Sequence, residues 1–319
     1  MRNRRVIVRL KGGLGNQMFQ YAAARSLGIR TGAVLVLDVS SGFILDRVFK
    51  RAFSLEPLPI NYRKAGFFDQ LPFLVEQVRR RFGHNSSLIR KRSWGLFIHE
   101  AELIFQPEIQ TWRLVGHAWM EGYWQSEAYF SDHADIIASE LAVPAPTQAS
   151  FLKMARTMVE CDSVAVGVRL FEEVPGASKG EVGGLVPFGF YEDAASILSA
   201  YVKNPVFFVF CTDGKAVRDK LRLPGKIQYV THDDGFDGAT RCLWLISQCK
   251  HHILSNSSFY WWGAWMAERN GPSKGVIIAS DSFPNKDTIP ARWLRLGIGH
   301  TPEARSCSGP EHRDRIISF

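Results

Sequence analysis

The sequence predicts an α/β protein built from two parallel-sheet domains that face a central cleft. Three observations carry that reading. Apolar runs of strand length alternate with stretches of helical periodicity in both halves of the chain, as in repeated strand–helix units. The segment Val143-Pro144-Ala145-Pro146-Thr147 interrupts the alternation near the middle, where proline cannot continue a helix. Glycine-rich or polar turns follow several of the apolar runs, at the strand ends where open α/β sheets bind ligands. The expected division is a first domain at 1–146 and a second at 147–319.

The first half opens with an apolar strand at 6–10, a turn Lys11-Gly12-Gly13-Leu14-Gly15-Asn16-Gln17, and a helix at 18–28. Glycines let a ligand come close to the backbone. The turn is neither a dinucleotide fingerprint nor a P-loop, since it lacks both spacings. Asn16 and Gln17 are read as polar tips at a strand end. An ordinary tight turn fits the same spacing. A second strand is expected at 33–37, ending beside Asp38. Residues 40–110 show no clear pattern. Within them Arg79-Arg80-Arg81 and Arg90-Lys91-Arg92 bracket a stretch without an acidic residue. Such clusters are usually solvated, and they also suit peripheral contact with an anionic membrane or a charged acceptor. Few aromatics are interleaved, which argues against a nucleic-acid platform. A strand at 113–119, a loop at 121–127 and a helix at 129–141 complete this half.

The second half reads helix 148–159, strand 163–169, a polar loop at 172–184, helix 188–201 and strand 206–211. A turn at 212–214, helix 216–221, strand 227–230, an acidic loop at 232–238 and helix 240–247 follow. The chain then gives a short strand ending Ile253-Leu254, the polar turn Asn256-Ser257-Ser258, an aromatic-rich helix and a last strand at 275–279. A strand feeding a polar turn that opens a helix presents outward N–H groups able to hold an anion. Trp261 and Trp262 beside it suit the wall of a cleft. The alternative is a core helix capped by Ser257 or Ser258. Arg169 ends a strand in the same half, and its permanently charged, planar guanidinium suits a diphosphate. A salt bridge to Glu172 or Glu173 is the competing use.

Composition narrows the chemistry. The net charge of +8 favours an anionic partner. The five cysteines are scattered and odd in number, so a disulfide framework is not expected and a reducing compartment is. The N-terminal apolar run is too short for a signal sequence, and no apolar stretch is long enough to span a bilayer. A cytoplasmic protein is expected, at most peripheral at the inner face of the membrane. Asp233, Asp234 and Asp237 form an acidic loop without the flanking pattern of a metal site. No zinc spacing and no nucleophile elbow occurs.

Four stretches together resemble one family. The segment from Lys11 to Ala22 is similar to the N-terminal signature of the family 11 glycosyltransferases, the α-1,2-fucosyltransferases. Glu121-Gly122-Tyr123-Trp124-Gln125-Ser126-Glu127 resembles a second motif of that family, and the segment from Leu245 to Trp265 resembles its C-terminal motif closely. The fourth, Gly167-Val168-Arg169-Leu170-Phe171-Glu172, departs from the usual His-x-Arg-Arg-Gly-Asp: Arg169 is kept, but Gly167 replaces the His. Cys242 stands where the family tends to place an Asp. The His and the Asp help to hold the nucleoside in related enzymes.

The resemblance implies a GT-B fold with the donor mainly in the second domain. It also implies inverting transfer of L-fucose from GDP-L-fucose, and no required metal or other cofactor. The acceptor would be a glycan hydroxyl, the 2-hydroxyl of galactose. A different nucleotide sugar, or non-catalytic binding of nucleotide or carbohydrate, is the alternative. The implied catalytic residues are Arg169, Asn16 and Glu172, with Glu121 a second candidate base. Donor contacts are expected from Gly13, Gly15, Asn16, Gln17, Arg169, Asn256, Ser257, Ser258 and Phe259.

Overall fold

The computed structural model describes residues 4–44, 46, 49–81, 89–92, 95–100, 102–111, 114, 116–170, 184–270 and 275–298. Two six-stranded sheets organise them. The first contains β1 (Arg5–Arg9), β2 (Val34–Asp38), β3 (Arg63–Lys64), β4 (Ile89–Arg92), β5 (Gly95–His99) and β6 (His117–Glu121), in the order β3-β2-β1-β6-β5-β4. The second contains β7 (Ser163–Gly167), β8 (Val206–Cys211), β9 (Lys226–Thr231), β10 (His251–Leu254), β11 (Ile277–Ser280) and β12 (Leu294–Leu296), in the order β12-β11-β10-β7-β8-β9. The described pairings are parallel, except that β4 runs antiparallel to β5 at one edge. The predicted fold class holds in its architecture: two Rossmann-like α/β units, each built on a largely parallel sheet. Each sheet reverses its strand order once, between β1 and β6 and between β7 and β10. Strand ends part at such a reversal and leave a crevice.

The helices are α1 (Leu14–Thr31), α2 (Phe67–Arg81), α3 (Glu108–Thr111), α4 (Ala134–Glu140), α5 (Ala149–Glu160), α6 (Phe188–Ser199), α7 (Gly214–Arg218), α8 (Ala239–Ile246) and α9 (Ser258–Asn270). Period-two alternation sorts β1 between two layers: Val6 and Val8 join the large core with α1, and Ile7 joins Phe73 of α2 on the other face. Helix α1 is buried almost all round, because α9 of the second domain packs against its outer side.

That contact is aromatic. Phe19 of α1 meets Trp261 and Trp262 at ring distances of 4.5 and 5.0 Å, and Phe130 stacks on Trp262 at 5.5 Å. Trp261, Trp262 and Trp265 are fully buried. Each indole N–H still finds an acceptor: Thr288 O, Gly15 O and the Glu127 carboxylate respectively. The tryptophans read as cleft walls are therefore core, joining the two domains in one apolar cluster.

Other expectations shift. The helix expected at 129–141 is two 3₁₀ turns, Glu127–Tyr129 and Ser131–His133, followed by α4. Ser126 caps the first turn, while Tyr129 and Phe130 are drawn into the core. The strand expected at 113–119 is β6, and Arg113 lies outside the described residues. Asn16 and Gln17 sit in the first turn of α1 rather than in the loop, because that helix already begins after Gly13. Elements β3, α2, β4, β5, α3 and β12 went unread from sequence.

Truncating the interdomain core should be costly. Trp262→Ala is expected to lose ~3–5 kcal/mol of stability, read by urea unfolding, with a smaller loss for Trp262→Phe.

Candidate functional site

Two strand-order reversals face one cavity of about 480 Å³. From the first sheet, the turn after β1 contributes Gly13 to Asn16, and the turn after β6 contributes Tyr123 and Gln125. From the second, the end of β7 contributes Arg169 and the end of β10 contributes Asn256 to Tyr260. Arg169 and the polar turn share a crevice because β7 and β10 are neighbours, with Gly167 opposite Leu254.

Two helix N-termini meet there. In α1 the first intrahelical bond runs from Gln17 N to Gly13 O, and in α9 from Trp261 N to Ser257 O. The amides of residues 14–16 and 258–260 precede those bonds and have no i−4 acceptor within their helices. Both helix dipoles direct positive potential into the cavity. Gly15 permits the meeting: a Cβ on it would lie 2.5 Å from Phe259 N and from Ser258 C. Any side chain there would push the two backbones apart.

Asn16 ties the domains at this point. Its Oδ1 accepts from Gln125 Nε2 at 2.8 Å and from Ser258 Oγ at 2.7 Å. Arg169 is half-buried and donates from Nη1 to Asn256 O at 3.2 Å, which fixes the guanidinium beside the turn. Arg51 brings a second guanidinium to the lining. The described lining contains no Asp or Glu, so these cations and helix ends face the cavity without a carboxylate among them.

Of the residues singled out from sequence, Gly13, Gly15, Asn16, Arg169, Asn256, Ser257, Ser258 and Phe259 line the cavity. Gln17 does not. One helical step of about 100° turns it away from Asn16, and its amide bonds Gly12 O, Ala52 O and Ser54 N, each at 2.9 Å. Asn256 directs its amide nitrogen to Gly184 O at 2.7 Å, so its side chain braces the turn. The Ser257 amide is already spent on Ser255 O at 2.8 Å. Glu121 is also corrected: it is buried, paired with Arg9 at 3.0 Å and Arg80 at 2.5 Å, and absent from the lining. Glu172 lies outside the described residues.

Sequence reasoning missed Arg51, Tyr123, Gln125 and Tyr260 as lining residues. Tyr123 and Gln125 stood in a noted motif without an assigned role. Their turn is held by Glu100, whose carboxylate accepts the amides of Tyr123 at 2.6 Å and Trp124 at 3.1 Å. Burial pushes the Glu100 pKa up, and those two amides oppose the shift. Trp124 adopts φ 56°, a strained value for a non-glycine residue, at the centre of this turn. Arg51 lies in a stretch with no readable periodicity.

The model of glycosyl transferase family 11 matches residues 111–290, more than half of the chain. The protein belongs to glycosyl transferase family 11. An Escherichia coli alpha-1,2-colitosyltransferase is 28% identical to this glycosyltransferase, the alignment covering 91% of this chain and 98% of the relative. The O-antigen biosynthesis glycosyltransferase WbnK, also of Escherichia coli, is 26% identical over 81% of this chain and 88% of its own. Among solved structures, the fucosyltransferase NodZ from Bradyrhizobium aligns with a TM-score of 0.46 at 18% identity, covering 83% of this chain and 93% of NodZ.

Around the ends of β8 and β9 and the start of α8, the cavity of this family 11 glycosyltransferase is lined by Phe210, Cys211, Val230, His232, Ala239, Cys242 and Ile246. Of the two departures from the family pattern, Cys242 lies in this lining, and Gly167 lies at the end of β7 against the Tyr260 ring. A Cβ on Gly167 would lie 2.4 Å from the Tyr260 ring, so Tyr260 occupies the space a larger residue at 167 would need. The Tyr260 hydroxyl reaches Phe210 O at 3.0 Å and Val168 O at 3.2 Å, locking the ring there. Cys242 stands in place of an acid, and burial pushes its thiol up to about 11. Among the described residues, no three His, Cys, Asp or Glu side chains group as a metal site.

Burial disfavours the Cys242 thiolate, so the thiol form persists well above neutral pH. Peptide-resolved alkylation by iodoacetamide should speed up about tenfold per pH unit through pH 9 and beyond. A plateau below pH 9 would contradict the assignment.

Proposed function

We propose that this glycosyltransferase moves L-fucose from GDP-L-fucose to a glycan hydroxyl, the 2-hydroxyl of galactose, with inversion and without a required metal ion. The observation that carries the reading is the cavity itself: two helix N-termini and Arg169 converge where the described lining offers no carboxylate. That is an environment for a leaving diphosphate. As the glycosidic bond breaks, negative charge grows on the β-phosphate, and Arg169 with the amides of 258–260 stabilises it. Asn16, held between Gln125 and Ser258, positions the reacting sugar against the leaving group. Donor contacts come from Gly13, Gly15, Ser257 and Phe259 around it. The attacking hydroxyl gives its proton to a base, for which Glu172 is proposed, three positions after Arg169 in the sequence.

A second reading keeps the site and changes the sugar. The colitosyltransferase relative favours colitose, which is L-fucose without its 3-hydroxyl, as the transferred group.

The test offers the purified protein GDP-L-fucose and GDP-colitose separately, with a panel of galactosides, and follows product by mass spectrometry. The proposal expects transfer from GDP-L-fucose that survives EDTA. It also expects Arg169→Ala to lose on the order of 10²–10³ in kcat/KM, or about 2–4 kcal/mol. Transfer from GDP-colitose alone would select the second reading. Nucleotide binding without transfer of either sugar would overturn both.

A further inference from the structure

Helix α2 is built with its polarity reversed. Its acids, Asp69 and Glu76, are buried beside Pro72 and Phe73. Asp69 accepts from Gly66 N at 3.1 Å and pairs with Arg5 at 2.7 Å. The opposite face is apolar and exposed: Phe67, Phe68, Leu71, Leu74, Val75 and Val78, with Phe68 83% and Phe67 66% exposed. At about 100° per residue these six fall within roughly 120° of arc, one continuous stripe. Singly exposed apolar residues are ordinary, but a contiguous stripe marks a surface that meets something apolar.

The charges around the stripe say what that is. The last turn carries Arg79, Arg80 and Arg81; Arg80 turns in to Glu121, and Arg81 is exposed. Arg63 and Lys64 of β3, just before the helix, are exposed as well. The sequence holds no acid between Glu76 and Glu100, whereas β4 in that interval reads Ile89-Arg90-Lys91-Arg92. A second copy laid on the stripe would set cation against cation with no exposed acid of α2 to answer them. A surface that is apolar beneath and anionic above answers both features. Among the described residues, no helix is long and apolar enough to cross a membrane, so the contact is one of lying on the surface.

We propose that the outer face of α2 docks this protein on an anionic lipid bilayer. Phe67, Phe68, Leu71 and Val78 enter the interfacial layer, and Arg63, Lys64, Arg79 and Arg81 face the headgroups. Two residues separate the C-terminal end of β3 from the start of α2, so the helix begins on the side of the sheet where the strands end. The inference stands on α2 and the cations beside it, and does not depend on which sugar is transferred.

Cosedimentation with unilamellar vesicles tests it, using the full chain. Binding to vesicles of three parts phosphatidylcholine to one part phosphatidylglycerol should exceed binding to pure phosphatidylcholine about fivefold or more, and fall in 0.5 M NaCl. The double variant Phe68→Ser, Val78→Ser changes only exposed positions. It should lose about tenfold in vesicle partition while keeping its melting temperature and its transfer rate to a soluble acceptor. Absence of binding to the anionic vesicles, or equal binding by the variant, would overturn the proposal. So would a concentration-dependent dimer in analytical ultracentrifugation that the same variant dissolves, since it would assign the stripe to a second copy.

Discussion

The packing of α9 on α1 is the constraint on which the rest of this structure depends. Two sheets that share only a linker would place their strand ends anywhere within reach. Here Phe19, Phe130, Trp261 and Trp262 interlock across the domains with no exposed surface, and the Trp262 indole bonds the carbonyl of Gly15 itself. A close-packed core transmits displacement rather than absorbing it. The separation of the two helix N-termini, and the Asn16–Ser258 bond at 2.7 Å, are thereby set by the volume of aromatic side chains one turn further along. Core and site are one design problem in this protein.

The electrostatic consequence is a division of labour along one cavity. At the end where the helices meet, Arg169 and the first-turn amides are concentrated, and the described lining supplies no counter-charge. Helix N-termini and a guanidinium at one place suit an anionic group. At the other end, Phe210, Val230, Ile246, the Cys242 thiol and the Tyr260 ring offer mostly apolar shape beside His232. Selectivity there would rest on fit and stacking more than on ion pairing.

The architecture was legible because strand and helix periods alternate and because a proline segment punctuates them. Arg169 and the 256–258 turn were legible as separate strand ends. Their meeting followed from the reversal between β7 and β10, which is a property of strand order and not of any local pattern. The misreadings share a cause. Trp261 and Trp262 declare burial but not the partner they are buried against. Gln17 was taken as a loop residue, and moving it into the first turn of a helix rotates it out of the cavity. Glu121 looked available because its partner Arg9 is 112 positions away. Helix α2 went unread because its apolar residues face outward and its acids inward, so periodicity no longer pointed at a core.

The central claim is that the cavity between α1 and α9 receives the diphosphate of the donor. A crystal structure of the protein with GDP measures this directly. The account places the diphosphate within hydrogen-bond distance of the Arg169 guanidinium and the amides at the start of α9, with the base toward Cys242 and Tyr260. GDP bound elsewhere on the protein, or a diphosphate held away from Arg169 and α9, would contradict it.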